Sequence, residues 1–472
     1  MAHTMHRLII AAPMSGSGKT TVTAGLIAAL VARGLRVAPF KVGPDYIDPT
    51  YHSLAAGEPC HNLDPWLLPP ERILASFVRR SRHADIALIE GVMGLFDGLS
   101  GVDDSGSAAH IARLLNAPVL LVLDASAMAR SAGAIVRGFR DFDPKVRLAG
   151  VILNQVGGAR HAQMVREAIE ENTGVPVLGY LAHNEALHLP ERHLGLIPTA
   201  EPRSESSQWQ TWVQQVRAAV EETIDVARVV AQAKTAGPLP TPAADDPFTV
   251  WAAAKRAVIA VAYDAAFNFV YADNLDLLGA AGAEIARFSP LRDATLPRGT
   301  QGIYLCGGFP ELYATGLAQN VTLLAQLRRA HAAGLPIYAE CGGLMYLTGA
   351  IIDAHGKQHT MAGLLPGCAK MQPRLTLGYR TLRALVDNWL WRAGEEMRGH
   401  EFHYSTWCNR APSLPYLYEI QPDAYHSEPQ LEGAWQGNLL ASYTHLHFLT
   451  RPELAARFVL AASLSTPWGW VQ

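Results

Sequence analysis

The length and composition of the chain exclude several classes of protein. Its 472 residues suffice for two or three domains, and 49% hydrophobic and 17% charged residues indicate substantial cores rather than disorder. A net charge of −3 without a long basic block argues against sequence-independent nucleic-acid binding, and no apolar run approaches the roughly 18 residues that span a bilayer. With no visible signal peptide and five scattered cysteines lacking a C-x-x-C pair, we expect a cytoplasmic protein without a disulfide framework.

The first motif is a glycine loop between an apolar strand, residues 8–12, and an apolar helix that begins near residue 22. Strand, glycine loop and helix together are typical of a phosphate-binding loop, although Pro13 stands where the usual motif has glycine. A glycine-rich turn that binds no phosphate is the alternative. We expect Lys19 to contact the terminal phosphates of ATP and the Thr20 hydroxyl to bind Mg²⁺. The full set expected to bind ATP in this loop is Ser15, Gly16, Ser17, Gly18, Lys19, Thr20 and Thr21.

Nearly continuous apolar runs predict a parallel sheet in the first 200 residues, covered by helices on both faces. The predicted strands are residues 8–12, 36–41, 86–90, 119–124, 148–154 and 175–181. Ligands of such sheets bind at the carboxyl ends of the strands, so the polar residues that follow these strands are candidates for function.

Four carboxylates follow two of the predicted strands: Asp45, Asp48, Glu90 and Asp97. Because Mg²⁺ binds one or two carboxylates together with phosphate oxygens, we expect Asp45 and Glu90 to hold the metal with Thr20. Lys41 is expected to add a phosphate contact. The residues expected to orient the acceptor substrate are Tyr46, Asp48 and Asp97. The alternative is that an Asp in such loops merely caps a turn.

Asn154 ends another apolar strand, where its amide could contact the adenine edge or form a turn. Residues 206–234 predict one long helix, with Trp209, Trp212, Val213 and Val216 on one face. Three prolines at 238, 240 and 242 then favour a linker. We therefore expect an α/β protein of two domains, residues 1–235 and 253–472, joined by a linker at 236–252.

The second half repeats the strand and helix alternation, with strands at 258–262, 284–288, 302–305 and 336–339. The last strand leads into Cys341 and two glycines, the arrangement of a nucleophile elbow. We expect the helix N-terminus and a neighbouring histidine to lower the pKa of the Cys341 thiol. Backbone N–H groups of Gly307, Gly308 and Gly342 are expected to form the oxyanion hole. A buried structural cysteine is the alternative.

A catalytic thiol needs a base, and residues 441–448 carry two histidines on one face of a strand-like run. We expect His445 to be the base, and His447 is the second candidate. His400 and His403 show similar alternation, and we expect them on a substrate or interface surface.

Taken together, these motifs resemble those of the cobyrinic acid a,c-diamide synthases, glutamine-dependent amidotransferases of corrinoid biosynthesis. The resemblance is carried by residues 12–21, 41–52, 90–98, 189–196, 264–269, 307–311, 339–347, 399–405 and 442–448. It implies an N-terminal ATP-dependent domain similar to dethiobiotin synthetase and a C-terminal class I-type glutaminase domain. It also assigns the nucleophile to Cys341 and the activating histidine to His445. Two departures, Ala339 in place of glycine and His447 in place of the usual glutamate, imply a Cys–His dyad.

The resemblance implies that ATP and Mg²⁺ activate the a and c acetate carboxylates of cobyrinic acid as acyl phosphates, which ammonia from L-glutamine then attacks. Hydrogenobyrinic acid and nickel-sirohydrochlorin are alternative acceptors, because the motifs bind carboxylates and phosphates rather than the macrocycle. An alternative of another class is a partitioning or maturation ATPase, which would have no use for Cys341 and His445. We expect small-molecule partners without nucleic acid or membrane, and a homodimer is compatible with the sequence.

Overall fold

The computed structural model describes residues 5–192, 195–199, 207–240, 246–249, 256–423 and 427–469. The chain divides into two units, Met1–Ala244 and Asp245–Gln472, and each contains its own parallel sheet. Among the described residues, every helix is too short or too polar to traverse a bilayer.

The first unit is built on a seven-stranded parallel sheet of order β3-β2-β4-β1-β5-β6-β7. Its strands are β1 Arg7–Ala11, β2 Val37–Val42, β3 His61–Leu63, β4 Ile86–Glu90, β5 Val119–Asp124, β6 Leu148–Val156 and β7 Val177–Ala182, followed by the short antiparallel pair β8 Glu191–Arg192 and β9 Gly195–Leu196. The six strands predicted in this half are confirmed. Strand β3 was not predicted, because its three residues include only one aliphatic side chain.

The helices of this unit are α1 Lys19–Ala32, α2 Asp48–Ala56, α3 Pro70–Ser81, α4 Ala108–Leu114, α5 Ser131–Phe142, α6 Ala159–Thr173, α7 Ser207–Thr223 and α8 Val226–Ala233. The single helix predicted over 206–234 is wrong. Ile224 forms a bridge to Gly179 on β7, and the Asp225 side chain then accepts from the backbone N–H of Arg228, which starts α8. A helix cannot continue through a residue whose backbone pairs with a strand.

The predicted apolar face of α7 is confirmed, because Trp209, Trp212, Val213 and Val216 are all buried. The helix lies close to α1, where a Cβ added at Gly25 would stand 2.6 Å from Val216 Cγ1. Just after α8, the Gly237 and Pro238 carbonyls accept from Arg7 and Asn116 respectively. The chain beyond α8 is therefore fixed to the first unit at its start.

The strands of the second unit are β10 Ala257–Ala262, β11 Ala283–Phe288, β12 Thr300–Leu305, β13 Ile337–Glu340, β14 Thr348–Ile352, β15 Gln358–Thr360, β16 Leu365–Ala384, β17 Glu396–Cys408, β18 Tyr418–Ile420, β19 Gln430–Glu432, β20 Ala434–Gln436, β21 Leu439–Ser442 and β22 His445–Leu446. Its helices are α9 Ala272–Ala280, α10 Ala314–Gln319, α11 Val321–Ala332, α12 Gly342–Leu347 and α13 Glu453–Ser463. The main sheet has the order β11-β10-β12-β13-β21-β20 and is parallel except for β20. The four strands predicted here are confirmed.

A second sheet in this unit, of order β15-β14-β16-β17-β22 with β18 and β19 attached to β16, was not predicted. Its long hairpin of β16 and β17 mixes buried, half-buried and exposed positions, so it has no continuous apolar run. In the main sheet β13 pairs with β21, and in the second sheet β17 pairs with β22. Because β22 follows β21 by only two residues, the two sheets meet near residues 341–346 and 442–446. That junction holds one of the two candidate sites.

Candidate active sites

The predicted phosphate loop lies between β1 and α1, at the carboxyl edge of the parallel sheet. Gly16 and Gly18 have φ values of 78° and 85°, which favour glycine, and Gly18 caps the start of α1. The Ser17 hydroxyl donates to the Met14 carbonyl at 3.0 Å and closes the loop on itself. A loop of this shape at a helix N-terminus directs backbone N–H groups toward an anion.

Lys19 begins α1 and bridges the loop to the segment that follows β4. Its Nζ donates to the Met93 carbonyl at 2.6 Å and to the Met14 carbonyl at 3.3 Å, and the residue is 7% exposed. Burial, together with the charge of Lys41, lowers the pKa of Lys19. The ammonium group is thus held at the loop by neutral carbonyls, which a phosphate oxygen can replace.

Lys41 lies among carboxylates beside the phosphate loop. Its Nζ donates to Asp48 Oδ2, to Glu90 Oε1 at 3.1 Å and to the Gly91 carbonyl at 3.3 Å, which uses its three donors. Although burial alone would lower it, Asp48 and Glu90 raise the pKa of Lys41. Lys41 is therefore the internal cation of a carboxylate cluster, and its added phosphate contact stays a prediction.

The three residues predicted to hold the metal differ in their surroundings. The Thr20 hydroxyl donates to Glu90 Oε1 at 3.0 Å, so these two lie together beside the phosphate loop. Asp45 Oδ1 accepts from the N–H groups of Ile47 and Asp48, which is the turn-capping alternative, while its Oδ2 lies 3.6 Å from Lys41 Nζ. Asp45, Asp48 and Glu90 thus lie around the Lys41 ammonium, and carboxylate oxygens beside the Thr20 hydroxyl are ligands that suit Mg²⁺.

His52 was missed by the sequence reasoning and contacts this cluster. It lies on α2, is fully buried and hydrogen-bonds through Nε2 to Glu90 Oε2. Although burial opposes the effect, Lys41 and His52 lower the pKa of Glu90, which stays ionised. The signal that could have found His52 is its place in the first helix after the Asp45 loop, one turn after Asp48.

Asn154 contacts the phosphate loop in the structure, and its contact with adenine stays a prediction. The side chain is buried, and its Nδ2 donates to the Ser17 carbonyl at 3.0 Å. A Cβ added at Gly18 would stand 2.1 Å from the same atom. The amide therefore supports the phosphate loop, and its closeness adds to the left-handed φ of 85° in favouring glycine at position 18.

The residues predicted to orient the acceptor lie on the two loops that flank this site. Asp48 is the first residue of α2, and burial together with Asp45 raises its pKa. Tyr46 is buried, whereas Asp97 is exposed and accepts from the Gly94 N–H at 2.9 Å through Oδ2. Of the three, only Asp97 combines a turn-forming contact with an accessible carboxylate.

Cys341 forms the predicted elbow between β13 and α12. Its backbone has φ 46° and ψ −103°, a strained conformation for a residue with a side chain and one typical of a nucleophile at a strand-to-helix turn. A Cβ added at Gly343 would stand 2.2 Å from the Leu305 carbonyl, so the helix packs against β12 only because glycine is there. The Cys341 N–H donates to the Ser442 carbonyl at 2.7 Å.

The expectation of a lowered thiol pKa is wrong for this geometry. Cys341 is 2% exposed and its Sγ donates to the Phe402 carbonyl at 3.7 Å. Burial, and then the nearby carboxylate of Glu311, raises the pKa of Cys341, and the Gly342 N–H opposes this only in part. The thiol is therefore neutral at rest and needs a base to become a nucleophile.

One of the three predicted oxyanion donors is already used. The Gly307 N–H donates to the Phe269 carbonyl at 3.2 Å, within a bridge between the two segments, so Gly307 cannot contribute as predicted. The Gly308 nitrogen lies 3.0 Å from the position of a Cβ added at Gly342. The structure therefore brings Gly308 and Gly342 together and leaves Gly307 as a support.

His445 lies at the start of β22 and is fully buried. It follows β21 just as Cys341 follows the adjacent parallel strand β13, so both are at one edge of the sheet. Its Nδ1 lies 3.7 Å from Oε2 of Glu340, the residue immediately before the nucleophile. Glu340 is also buried and accepts from Tyr304 at 2.9 Å and Tyr338 at 2.7 Å. The dyad implied by the sequence thus has Glu340 as an acidic neighbour. The sequence reasoning missed this residue, although a carboxylate at the end of an apolar strand is a signal that could have found it.

His447, His400 and His403 are buried as well, so the interface surface that was one expectation for His400 and His403 is wrong. His447 Nε2 lies 3.7 Å from Asp273 Oδ2, and its ring lies 4.5 Å from that of Tyr271, as in a core histidine. His400 pairs with His445 across β17 and β22, and burial lowers its pKa to about 3. His403 stacks on Tyr443 at 4.1 Å. His400 and His403 therefore pack inside the unit, and their expected role toward the substrate stays a prediction.

Glu432 fixes the turn between β21 and His445. Its Oε2 accepts from the Ser442 hydroxyl at 2.6 Å and its Oε1 accepts from the Tyr443 N–H at 2.6 Å. Burial, and then Glu401, raises the pKa of Glu432 to about 7. The carboxyl group therefore titrates near neutral pH and makes the stability of this unit pH-dependent.

Glu432→Gln is expected to stabilise the second unit at about pH 8 and to flatten its pH dependence. The unfolded carboxyl ionises near pH 4.5 and the folded one near pH 7, so the folded state binds more protons between these values. Stability is therefore lost as the pH rises from 4.5 through 7, and the variant avoids a cost of about 3 kcal/mol. Thermal unfolding at several pH values measures the difference, and parallel curves for both proteins would contradict it.

Two family models match the chain: the CobQ/CobB/MinD/ParA nucleotide binding domain over residues 8–197 and the CobB/CobQ-like glutamine amidotransferase domain over residues 258–453. Together with the phosphate loop and the cysteine elbow, these matches define the class as glutamine-dependent amidotransferases with a nucleotide-binding domain.

Three similar proteins identify the family within this class. The chain is 47% identical over 457 residues to a cobyrinate a,c-diamide synthase from Dehalococcoides mccartyi, which covers 96% of this chain and 97% of the relative. It is 45% identical over 469 residues to that of Salmonella typhimurium, covering 98% and 99%, and 43% identical over 483 residues to a hydrogenobyrinate a,c-diamide synthase from Streptomyces coelicolor, covering 96% of each. The chain belongs to the cobyrinate/hydrogenobyrinate a,c-diamide synthase family of carbon–nitrogen ligases, and the resemblance seen in its motifs is confirmed.

Proposed function

We propose that the protein catalyses the ATP- and glutamine-dependent amidation of the a and c acetate carboxylates of cobyrinic acid, in cytoplasmic cobalamin biosynthesis. The observation that supports this most directly is the 47% identity, over nearly the full length of both chains, with a cobyrinate a,c-diamide synthase. Residues 1–235 would activate the carboxylate, residues 253–472 would release ammonia from glutamine, and residues 236–252 would link them.

The first unit would overcome the poor reactivity of a carboxylate by phosphorylating it. The loop amides and the Lys19 ammonium would stabilise charge on the transferring phosphoryl group, in the position where Lys19 now donates to the Met14 and Met93 carbonyls. Thr20, Asp45 and Glu90 would hold Mg²⁺, which neutralises phosphate charge when bound. The exposed carboxylate of Asp97, with Asp48 and Tyr46 on the facing loop, would orient the acceptor.

The second unit would release ammonia by covalent catalysis. His445 would accept the Cys341 proton as Sγ attacks the side-chain carbonyl carbon of glutamine, and the N–H groups of Gly308 and Gly342 would stabilise the oxyanion. His445 would then protonate the leaving nitrogen, which departs as ammonia and leaves a thioester that water hydrolyses to glutamate. Because the thiol is neutral at rest, the thiolate would form only with glutamine in place, which limits wasteful hydrolysis.

Glu340 would act as a positioning residue for His445. We expect Glu340→Gln to lower kcat for glutamine hydrolysis by about 10- to 100-fold with little change in KM, because the imidazolium formed during attack loses its neighbouring charge. Tyr338→Phe removes one donor to the same carboxylate and keeps that charge, so it should change kcat far less. Glutamate release measures both variants, and equal losses of kcat would indicate a structural role instead.

The acceptor can be identified directly by assaying cobyrinate, hydrogenobyrinate and nickel-sirohydrochlorin with ATP, Mg²⁺ and glutamine, followed by mass spectrometry. We expect two successive amidations of cobyrinate at the highest rate. The 43% identity with a hydrogenobyrinate a,c-diamide synthase makes that metal-free acid the second candidate, and faster turnover of it would overturn the first assignment. A partitioning ATPase would hydrolyse ATP with no dependence on glutamine or a tetrapyrrole acid.

A further inference from the structure

Two cysteines that are far apart in the sequence lie directly opposite each other in the second sheet of the second unit. Cys368 on β16 pairs with Cys408 on β17, and the register continues through Ala369 with Trp407 before it shifts beyond Met371. Opposed residues of an antiparallel pair point to the same face, with Cα atoms about 4.5 or about 5.5 Å apart. Both spacings fall within the range of about 4.4 to 6.8 Å that a disulfide spans.

The backbone around this pair is held in register at the end of the hairpin. Gly367 has φ 91°, and a Cβ added there would stand 2.2 Å from the Cys408 carbonyl oxygen, so the strands approach closely. The Trp407 Nε1–H donates to the Pro366 carbonyl at 2.8 Å across the same strands. These contacts keep Cys368 and Cys408 opposed and leave side-chain rotation as the movement needed to join them.

The exposure of the five cysteines separates this pair from the rest. Cys368 and Cys408 are half-exposed, whereas Cys60, Cys306 and Cys341 are buried. Cys408 Sγ now donates weakly to the Thr406 carbonyl at 3.8 Å. Burial, and then the neighbouring Cys408, raises the pKa of Cys368, so the pair remains a dithiol in a reducing compartment and needs an oxidant to react.

We infer that Cys368 and Cys408 form a reversible cross-strand disulfide, a redox modification site outside both candidate active sites. The oxidant would be a small disulfide such as oxidised glutathione. The Cys408 thiolate attacks one of its sulfurs, its S–S bond breaks, and the first glutathione leaves with the thiol proton. The Cys368 thiolate then displaces the second glutathione, so two electrons pass to the oxidant and both thiol protons end on glutathione.

The position of the pair gives the modification a route to the glutaminase site. The same strand, β17, carries Phe402, whose carbonyl accepts from Cys341, and Ser405, whose hydroxyl donates to Tyr443 at 3.1 Å. The disulfide would therefore restrict the movement of β17, the strand that contacts the nucleophile. Its existence does not depend on the proposed reaction.

The test equilibrates the full chain with mixtures of reduced and oxidised glutathione, alkylates the remaining thiols and maps unreduced peptides by mass spectrometry. We expect one cross-link joining Cys368 and Cys408 within the chain, with the loss of two alkylatable thiols and full recovery on reduction. Cys368→Ser and Cys408→Ser should each abolish it, and Cys60→Ser should not. Separate glutathione adducts on the two cysteines, cross-links between chains, or no oxidation of the pair would overturn the inference.

Discussion

Cys341→Ala is expected to abolish glutamine-dependent amidation while amidation driven by an ammonium salt continues. The substitution removes the only atom that would form the thioester, so glutamine hydrolysis should fall by about 10³-fold or more. Ammonia that is supplied directly needs no thiol and reacts with the acyl phosphate formed in the first unit. Mass spectrometry of the amidated acceptor, with glutamate release measured in parallel, follows both reactions.

A matched control is Cys306→Ala, which removes a second buried thiol of the same unit. Cys306 follows β12, next to β13, and its Sγ donates to the Ala262 carbonyl at 3.2 Å, so it contacts backbone rather than the proposed base. This variant should hydrolyse glutamine at a rate close to that of the unmodified protein. If Cys341→Ala lost ammonia-driven amidation with its melting temperature unchanged, the proposed division of work between the units would be wrong.

The parallel sheets were predictable because each of their strands is a run of apolar residues, and the hydrophobic effect favours burying such a run on both faces. The strand at 86–90 and the strand at 119–124 have the bounds that the apolar runs predict. The second sheet of unit two lacks this signal, since β16 and β17 mix buried, half-buried and exposed positions and depend on their partner strands. The break between α7 and α8 was equally hidden, because it depends on the contact of Ile224 with Gly179.

The candidate sites were predictable to the extent that a motif fixes a backbone shape. The elbow at Cys341 follows from a strand, a cysteine and two glycines that allow close packing. No local sequence pattern shows which groups a long, flexible lysine side chain contacts. The hydrogen bonds from Lys41 to Asp48 and Glu90 were for that reason not predicted. The pKa of Cys341 was misjudged for a related reason, since burial outweighs the helix N-terminus and only the three-dimensional structure shows the burial.

Lys19→Ala is expected to abolish amidation from both nitrogen sources while glutamine hydrolysis stays measurable. The ammonium group is the only cation donating into the phosphate loop among the described residues, and its loss should lower the rate of acceptor phosphorylation by about 10²- to 10³-fold. Its hydrogen-bond partners are neutral carbonyls, and Glu90 keeps its contacts with Lys41 and His52, so the fold should persist. Lys234→Ala, on an exposed side chain just after α8, is the matched control and should leave every activity unchanged.

The two variants together distinguish a two-site synthetase from a single-site enzyme more sharply than either does alone. Cys341→Ala should lose one nitrogen source and keep ATP-dependent activation, whereas Lys19→Ala should lose activation and keep the thiol chemistry. An equimolar mixture of the two variants adds a further measurement, because ammonia released by Lys19→Ala can diffuse through solution to the intact activating unit of Cys341→Ala. Amidation restored in the mixture, in proportion to the free ammonia that accumulates, would show that each unit retains its own chemistry. If the mixture stayed inactive despite measurable free ammonia, one of the two substitutions would have damaged more than the step assigned to it.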